Sequence, residues 1–448
     1  MIRGPMQRGR ALRPPLRFRL RKPRPIAAQP EMTTPRGSEG EAQMRALPQG
    51  NFHRFDPVAV PSPCLVLDTA RLEENGRRLA RLRDEADCKV LLALKAFAIP
   101  ACAPILDRYL DGTAASGLWE AKLGREAFGG EVHTYAPGLK PADLPDMVAN
   151  TDALIFNSLS QYERFAPLLA ETEGAGNLHL GLRINPRHQE VENALYDPAG
   201  PWSRLGIDGR ALSPDDLEPF SFLHIHALCD HGFDAFARMV AAVEKRLGHL
   251  FPAIEEINLG GGVLWTDDSF PLDDAIAFLK DFQRRTGLHV TLEPGTAVAL
   301  HAGAMVAEVL DFMTAQQGVG APVIITDLSA TCHLPDALEA PFTPDCLGAE
   351  SLPRTLRPSE VNDPNIARVG GPTCLAGDTI GTYRFDALPS IGDRLVFADL
   401  GYYTTVKSTT FNGTPLPSIV LWDSGSGSLE PVADFSWDMF AERLGWRS

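Results

Sequence analysis

The chain has 448 residues, 44% of them apolar and 22% charged, the balance of a globular protein with room for two domains or for one large barrel and an appendage. No run of about eighteen apolar residues occurs, which excludes a transmembrane helix. Of the net charge of −15, the stretch from Arg3 to Arg24 supplies nine basic residues and no acidic one, leaving −24 for residues 25–448. So acidic a body disfavours nucleic acid and favours a small cationic ligand.

Seven cysteines (Cys64, Cys88, Cys102, Cys229, Cys332, Cys346, Cys374) are dispersed without CxxC or Cys/His spacing. That pattern predicts a reducing compartment, the cytoplasm, with neither a disulfide framework nor a metal site. Residues 1–57 are rich in Arg, Pro and Gln, lack an apolar period and read as a disordered tail. An organellar transit peptide and a true start at Met32 or Met44 both remain open for its origin.

From Pro63 the grammar is regular. PCLVLD (63–68) reads as a strand and Thr69 to Ala86 as a helix with one polar face. Eight short strand candidates follow, most with helical stretches between them: KVLLALK (89–95), GTAASG (112–117), EVHTYAP (131–137), DALIFNS (152–158), HLGLRIN (179–185), FLHIHAL (222–228), EEINLGG (255–261) and HVTLEPG (289–295). Eight such units predict an α/β fold, a closed (β/α)8 barrel over residues 69–299. The link from Pro186 to Phe220 is longer than a barrel needs and reads as a binding loop or lid. Beyond about residue 300, AMVAEVLDF, PVIITDL, DRLVFADL and PSIVLWDS lack intervening helices. Residues 300–448 are therefore expected to form an all-β sandwich or barrel domain, which also takes the first strand, within 58–68.

Each barrel strand ends in polar, small or reactive residues, at the end where barrels carry their chemistry. Lys95 closes LLALK. A lysine buried there loses its proton and becomes a nucleophile towards aldehydes, whereas one at a strand end can also snorkel to solvent. Gly260, Gly261 and Gly262 follow the seventh barrel strand, where backbone amides can cradle a phosphate or simply make a flexible turn. Glu293, in the Glu293-Pro294-Gly295 exit of the eighth, can hold a pyridine nitrogen protonated or pair with a barrel arginine. His226 can stack on a flat ring or be satisfied by a hydrogen bond; His224, two residues earlier, shares its face. GGPTCLAGD (370–378) places Cys374 and Asp378 in one Gly/Pro-rich loop, a setting suited to proton donation as well as to an inert thiol. GYYTTVKSTTFNG (401–413) suits ligand contact better than core.

In order along the chain, ALKAFA, SGLWEAKLG, GLRINP, SRLGI, HALC, NLGGG, LEPG, DLSATCHLPD, GGPTCLAGD and YTTVKSTTFNG resemble the signature segments of the fold-type III pyridoxal-phosphate decarboxylases. Within that group, over residues 58–422, they resemble the carboxynorspermidine/carboxyspermidine decarboxylases. The resemblance implies pyridoxal 5′-phosphate as cofactor, bound by Lys95 as a Schiff base, with His226 stacked on its ring and Glu293 on its pyridine nitrogen. Gly260 to Gly262, Gly295 and Tyr403 would surround the phosphate. Cys374 would reprotonate the carbon that loses carbon dioxide, and Asp378, Asp230, Cys229 and Arg204 would contact the substrate. It further implies a homodimer in which the Cys374 loop enters the neighbouring subunit's site. The chain departs from the family pattern at Val263, Asp230, Thr296 and Tyr402, on the rim where a polyamine tail would be read. The readings are therefore decarboxylation of carboxynorspermidine or carboxyspermidine; of another basic or aminopropyl-bearing amino acid; or, from a different class, a non-catalytic cofactor-binding regulator. Retention of Lys95, Cys374 and the second domain argues against the last.

Overall fold

The structure, a computed structural model, describes residues 50–314 and 322–446; the basic stretch at the amino terminus lies outside them. β1 (Cys64–Asp68) is buried along its whole length. Strand alternation sends Cys64 and Val66 into a small core with Phe52, Val306 and Trp422, and Leu65 and Leu67 into the main core. Burial on both faces explains its uninterrupted apolar run. Asp68 then caps the helix Thr69–Ala86 by accepting the Ala70 N–H at 3.1 Å.

The barrel strands follow: β2 (Lys89–Ala93), β3 (Gly112–Ala115), β4 (Glu131–Tyr135), β5 (Ala153–Phe156) and β6 (His179–Asn185). A two-residue β7 (Ile207–Asp208) pairs only with the end of β6, and β8 (Phe222–Ile225), β9 (Glu256–Asn258) and β10 (His289–Leu292) complete the set. All eight are parallel, and β10 returns to β2 by pairing Thr291 with Lys89 and Leu292 with Val90. All eight expected strands are present, and the ring closes.

The second sheet holds β11 (Gly303–Met313), β12 (Val323–Thr326), β13 (Ala349–Leu352), β14 (Ile366–Gly370), β15 (Thr379–Phe385), β16 (Arg394–Ala398), β17 (Ser418–Trp422) and β18 (Leu429–Ala433). Its order is β13-β15-β14-β12-β11-β1-β17-β18, with β16 also on β11. β1 lies antiparallel to β11 and parallel to β17, so the first strand does join the carboxyl-terminal sheet. Short helical turns (Ala330–His333, Asp336–Glu339) and a helix (Trp437–Arg443) interrupt what the sequence suggested was all β.

One correction falls at the start of the described chain. Residues 50–57 read as tail from their composition, yet Phe52 is 1% exposed, and the Phe52 and Phe55 rings sit 5.4 and 5.0 Å from Trp422. Two aromatic anchors outweigh a polar average, since each buries a large apolar area.

Candidate active site

The ladder of β2 continues one step past its last residue on both sides. Ala93 donates its N–H to Pro294 O at 2.9 Å and Leu94 to Ala114 O at 3.0 Å, after which Ala96 turns back to Ala93 O. Lys95 lies in that turn, at the carboxyl end of the barrel, and lines a cavity with His226, Glu293, Arg183, Tyr135 and His133. Burial, and then the charge of Arg183, hold its pKa below the ordinary lysine value.

Hydrogen bonds fix the protonation of its neighbours. His226 Nδ1 accepts the Gly261 N–H at 3.1 Å, so in the neutral ring the hydrogen sits on Nε2, which lies 3.3 Å from Lys95 Nζ. Burial, followed by Lys95 and Arg183, pushes His226 well below the usual histidine value, so the ring is neutral. An Nε2–H facing Nζ requires Lys95 to offer a lone pair. The lysine is a free-base amine, the form that attacks an aldehyde.

His224 is organised from the other side. Arg183 Nη1 lies 3.3 Å from its Nδ1, and a guanidinium only donates, so His224 Nε2–H is directed at Glu293 Oε2, 3.2 Å away. Asn258 donates to Glu293 Oε1 at 2.7 Å, and its own Oδ1 accepts the Gly260 N–H at 2.8 Å. Burial, the strongest single influence on Glu293, raises its pKa; His224, Asn258 and His133 together outweigh it and bring it to about 2. Glu293 is therefore a carboxylate. Arg183, 4% exposed, packs its guanidinium 4.6 Å from the Tyr135 ring centroid and donates to His226 O at 3.3 Å.

The three glycines are required by close approach. A Cβ on Gly260, Gly261 or Gly262 would come within 2.4, 2.1 or 2.1 Å of the carbonyl oxygens of Ile225, Glu293 and Leu228, and Gly260 and Gly262 take φ of 70° and 83°. Gly295 is equally confined, with an added Cβ 2.7 Å from Ala96 Cβ and 4.0 Å from the Tyr403 hydroxyl. Tyr403 arrives from the second sheet in the left-handed region (φ 52°) and is tied by its N–H to Ala96 O at 2.8 Å. The barrel mouth thus joins Lys95, His226, Glu293, the glycine turn, Gly295 and Tyr403.

Cys229 is partly buried, and burial, then Asp230, pushes its thiol up to about 12, so it stays protonated. Asp230 adopts φ 55°, and its charge is felt at Tyr403. Arg204 is exposed, and its carbonyl accepts from Asn157 Nδ2 at 3.1 Å. Cys374 is exposed on the β14–β15 loop, and no residue of that loop lines the Lys95 cavity. Asp378, expected at the substrate, is held within its own loop. It is 6% exposed, and its oxygens accept from Ser329 Oγ (2.9 Å), Thr331 N (3.1 Å), Thr373 N (3.2 Å) and Thr373 Oγ1 (2.6 Å), which commits it to shaping its own loop. Sequence reasoning passed over Arg183, Asn258 and Tyr135. A signal for Arg183 was present, an arginine flanked by Leu and Ile inside a barrel strand, since such a charge must be buried and partnered.

A closed parallel barrel carrying a free-base lysine at its carboxyl end, joined to a mixed sheet, is the architecture of the fold-type III decarboxylases, which are carboxy-lyases. No family model matches the chain. It is 39% identical to carboxyaminopropylagmatine decarboxylase of Synechocystis over 86% of this chain and 96% of the relative, and 34% identical to carboxynorspermidine/carboxyspermidine decarboxylase of Campylobacter jejuni over 86% and 98%. The crystal structure of the C. jejuni carboxynorspermidine decarboxylase, complexed with norspermidine, superposes with a TM-score of 0.77 over 86% of this chain and all of that one. Diaminopimelate decarboxylase of Helicobacter pylori, at 14% identity and a TM-score of 0.70, shares the fold. The chain belongs to the carboxynorspermidine/carboxyspermidine decarboxylase family.

Proposed function

We propose that the protein uses pyridoxal 5′-phosphate to decarboxylate a carboxylated polyamine, carboxynorspermidine or carboxyspermidine. The observation that carries this is the chain Gly261–His226–Lys95, which leaves the lysine deprotonated beside a fixed carboxylate. The mouth suits the cofactor: an amine for its aldehyde, Glu293 for its ring nitrogen, glycines that admit nothing larger than hydrogen, and the Tyr403 hydroxyl beside Gly295. When bound, the cofactor delocalises the electron pair left on the substrate's α-carbon by departing carbon dioxide, which no side chain can do.

This chain's residues supply the rest. Glu293, anchored by His224 and Asn258, holds the proton on the ring nitrogen; neutral His226 offers its ring face without adding charge beside that nitrogen. Cys374 delivers the proton that replaces the carboxylate on the α-carbon. Because its loop does not line the cavity of its own chain, we assign it to the site of a second copy, in a homodimer. Leu375 (46% exposed), next to Cys374, and Phe411 (45%), next to the Asn412 that bonds the Cys374 amide, are apolar surface that a second copy would cover.

A second substrate is favoured by one observation: at 39% identity, the Synechocystis relative acts, by its name, on carboxyaminopropylagmatine. The departures at Asp230, Val263, Thr296 and Tyr402 are compatible with such a change of substrate. The test is carbon dioxide release by the cofactor-loaded protein offered carboxynorspermidine, carboxyspermidine, carboxyaminopropylagmatine, ornithine, arginine and diaminopimelate. Preference for either carboxy-triamine is expected; preference for the agmatine derivative selects the second reading, and turnover of ornithine, arginine or diaminopimelate alone refutes both.

A further inference from the structure

The β14–β15 loop that carries Cys374 is held on one side by its own residues. Thr373, immediately before the cysteine, is clamped to Asp378, and Leu375 N–H turns back towards Thr373 Oγ1 at 3.4 Å. On the other side, a residue distant in sequence intervenes: Asn412 Oδ1 accepts the Cys374 backbone N–H at 3.0 Å. Asn412 has φ 60°, a left-handed conformation that asparagine tolerates better than most side chains.

Asn412 is itself held. The preceding Phe411 carbonyl accepts from Cys332 Sγ at 3.5 Å, and Thr409 N–H donates to Cys332 O at 2.8 Å. Cys332 N–H donates to Ser329 Oγ at 3.0 Å, and Ser329 Oγ–H donates to Asp378 Oδ2 at 2.9 Å. The ties run from Asn412 through Cys332, Ser329, Asp378 and Thr373 back to Cys374. This closed circuit gives a task to the DLSATCH segment.

We propose that Asn412 is a positioning residue for Cys374, aiming its thiol out of its own chain and so governing where the proton is delivered. The inference rests on Cys374 as the proton donor. On the exposed loop of one chain a single amide–carbonyl bond is a modest constraint; excluding water from it on assembly makes it a strong one. A misaimed thiol would leave the substrate's α-carbon without its proton after carbon dioxide departs. With pyridoxal phosphate bound, such a turnover would transfer the substrate's amine to the cofactor, giving pyridoxamine phosphate, and release the substrate as an aldehyde whose oxygen comes from water.

Two variants separate aiming from folding. Asn412→Gly keeps the positive φ and removes the acceptor, whereas Asn412→Asp keeps both. In the holoenzyme, Asn412→Gly is expected to raise the share of turnovers ending in pyridoxamine phosphate by about tenfold, and to speed hydrogen–deuterium exchange at the Cys374 amide by about tenfold, with Asn412→Asp close to wild type in both. Wild-type partition and exchange in Asn412→Gly would overturn the proposal, as would equal defects in the two variants. Cys374→Ala distinguishes the two failures. If it forms no pyridoxamine phosphate and turns over normally, the donor assignment fails, while the exchange measurement still decides whether Asn412 holds the loop.

Discussion

Gly261 donates its amide to His226 Nδ1, and that bond acts with burial and the charge of Arg183 to favour a neutral Lys95. The proton sits on Nε2, the ring stays neutral, and a protonated lysine 3.3 Å away would meet a donor rather than an acceptor. Lys95→Ala should therefore abolish the visible absorbance of a lysine-bound pyridoxal group; persistence of that band in the purified variant would refute the assignment. Glu293 poses the complementary problem of a buried carboxylate that must stay charged. Glu293→Gln keeps the shape but cannot stabilise a proton on the ring nitrogen. It should lower kcat by roughly a hundredfold or more, while cofactor affinity, measured by fluorescence titration, changes less than tenfold.

At the scale of elements, the turn Ala330–His333 links the Cys374 loop to the segment carrying Asn412. Its last residue, His333, is fully buried: Nδ1 accepts the Ser329 N–H at 3.1 Å and Nε2–H donates to Pro415 O at 3.0 Å. Burial, partly opposed by the Pro415 carbonyl and Asp378, lowers its pKa to about 4. The unfolded chain binds the proton first, at about pH 6.5. The histidine's contribution is thus complete above about pH 6.5 and is lost as the pH falls towards 4, an effect of about 3 kcal/mol. His226 and His224, also held below their ordinary values, push the same way. In His333→Gln, which does not titrate, urea midpoints measured between pH 7 and pH 4.5 should fall less steeply than in wild type. An unchanged slope would remove His333 from the pH dependence.

At the scale of the molecule, Lys95 and Cys374 belong to one chain but are expected to serve different sites. Lys95→Ala and Cys374→Ala, neither able alone to sustain formation of the decarboxylated amine, should regain it when mixed and allowed to exchange subunits. Half of the dimers would then be mixed, each with one intact site, giving about a quarter of the wild-type rate of amine formation. No recovery after confirmed exchange would mean that each chain completes its own site. The acidic body suits a polycationic substrate, since its field concentrates such a molecule near the mouth.

The sequence by itself determined the elements. Apolar runs of strand length alternating with helical stretches specified the barrel, because burial on both faces of a parallel strand leaves a continuous local signature. The positions of Lys95, Glu293 and the glycine turn were legible as well, since each breaks its strand's pattern at the reactive end. Tertiary structure decided what depends on contacts between distant segments. No local pattern says that Arg183 rests on Tyr135 and His224, or that Phe52 packs on Trp422. Nor does one say that Asp378 spends its oxygens on Ser329 and Thr373, or that Asn412 reaches the Cys374 amide. A carboxylate four residues from a cysteine looks the same in sequence whatever donors surround it, and only the fold supplies those donors.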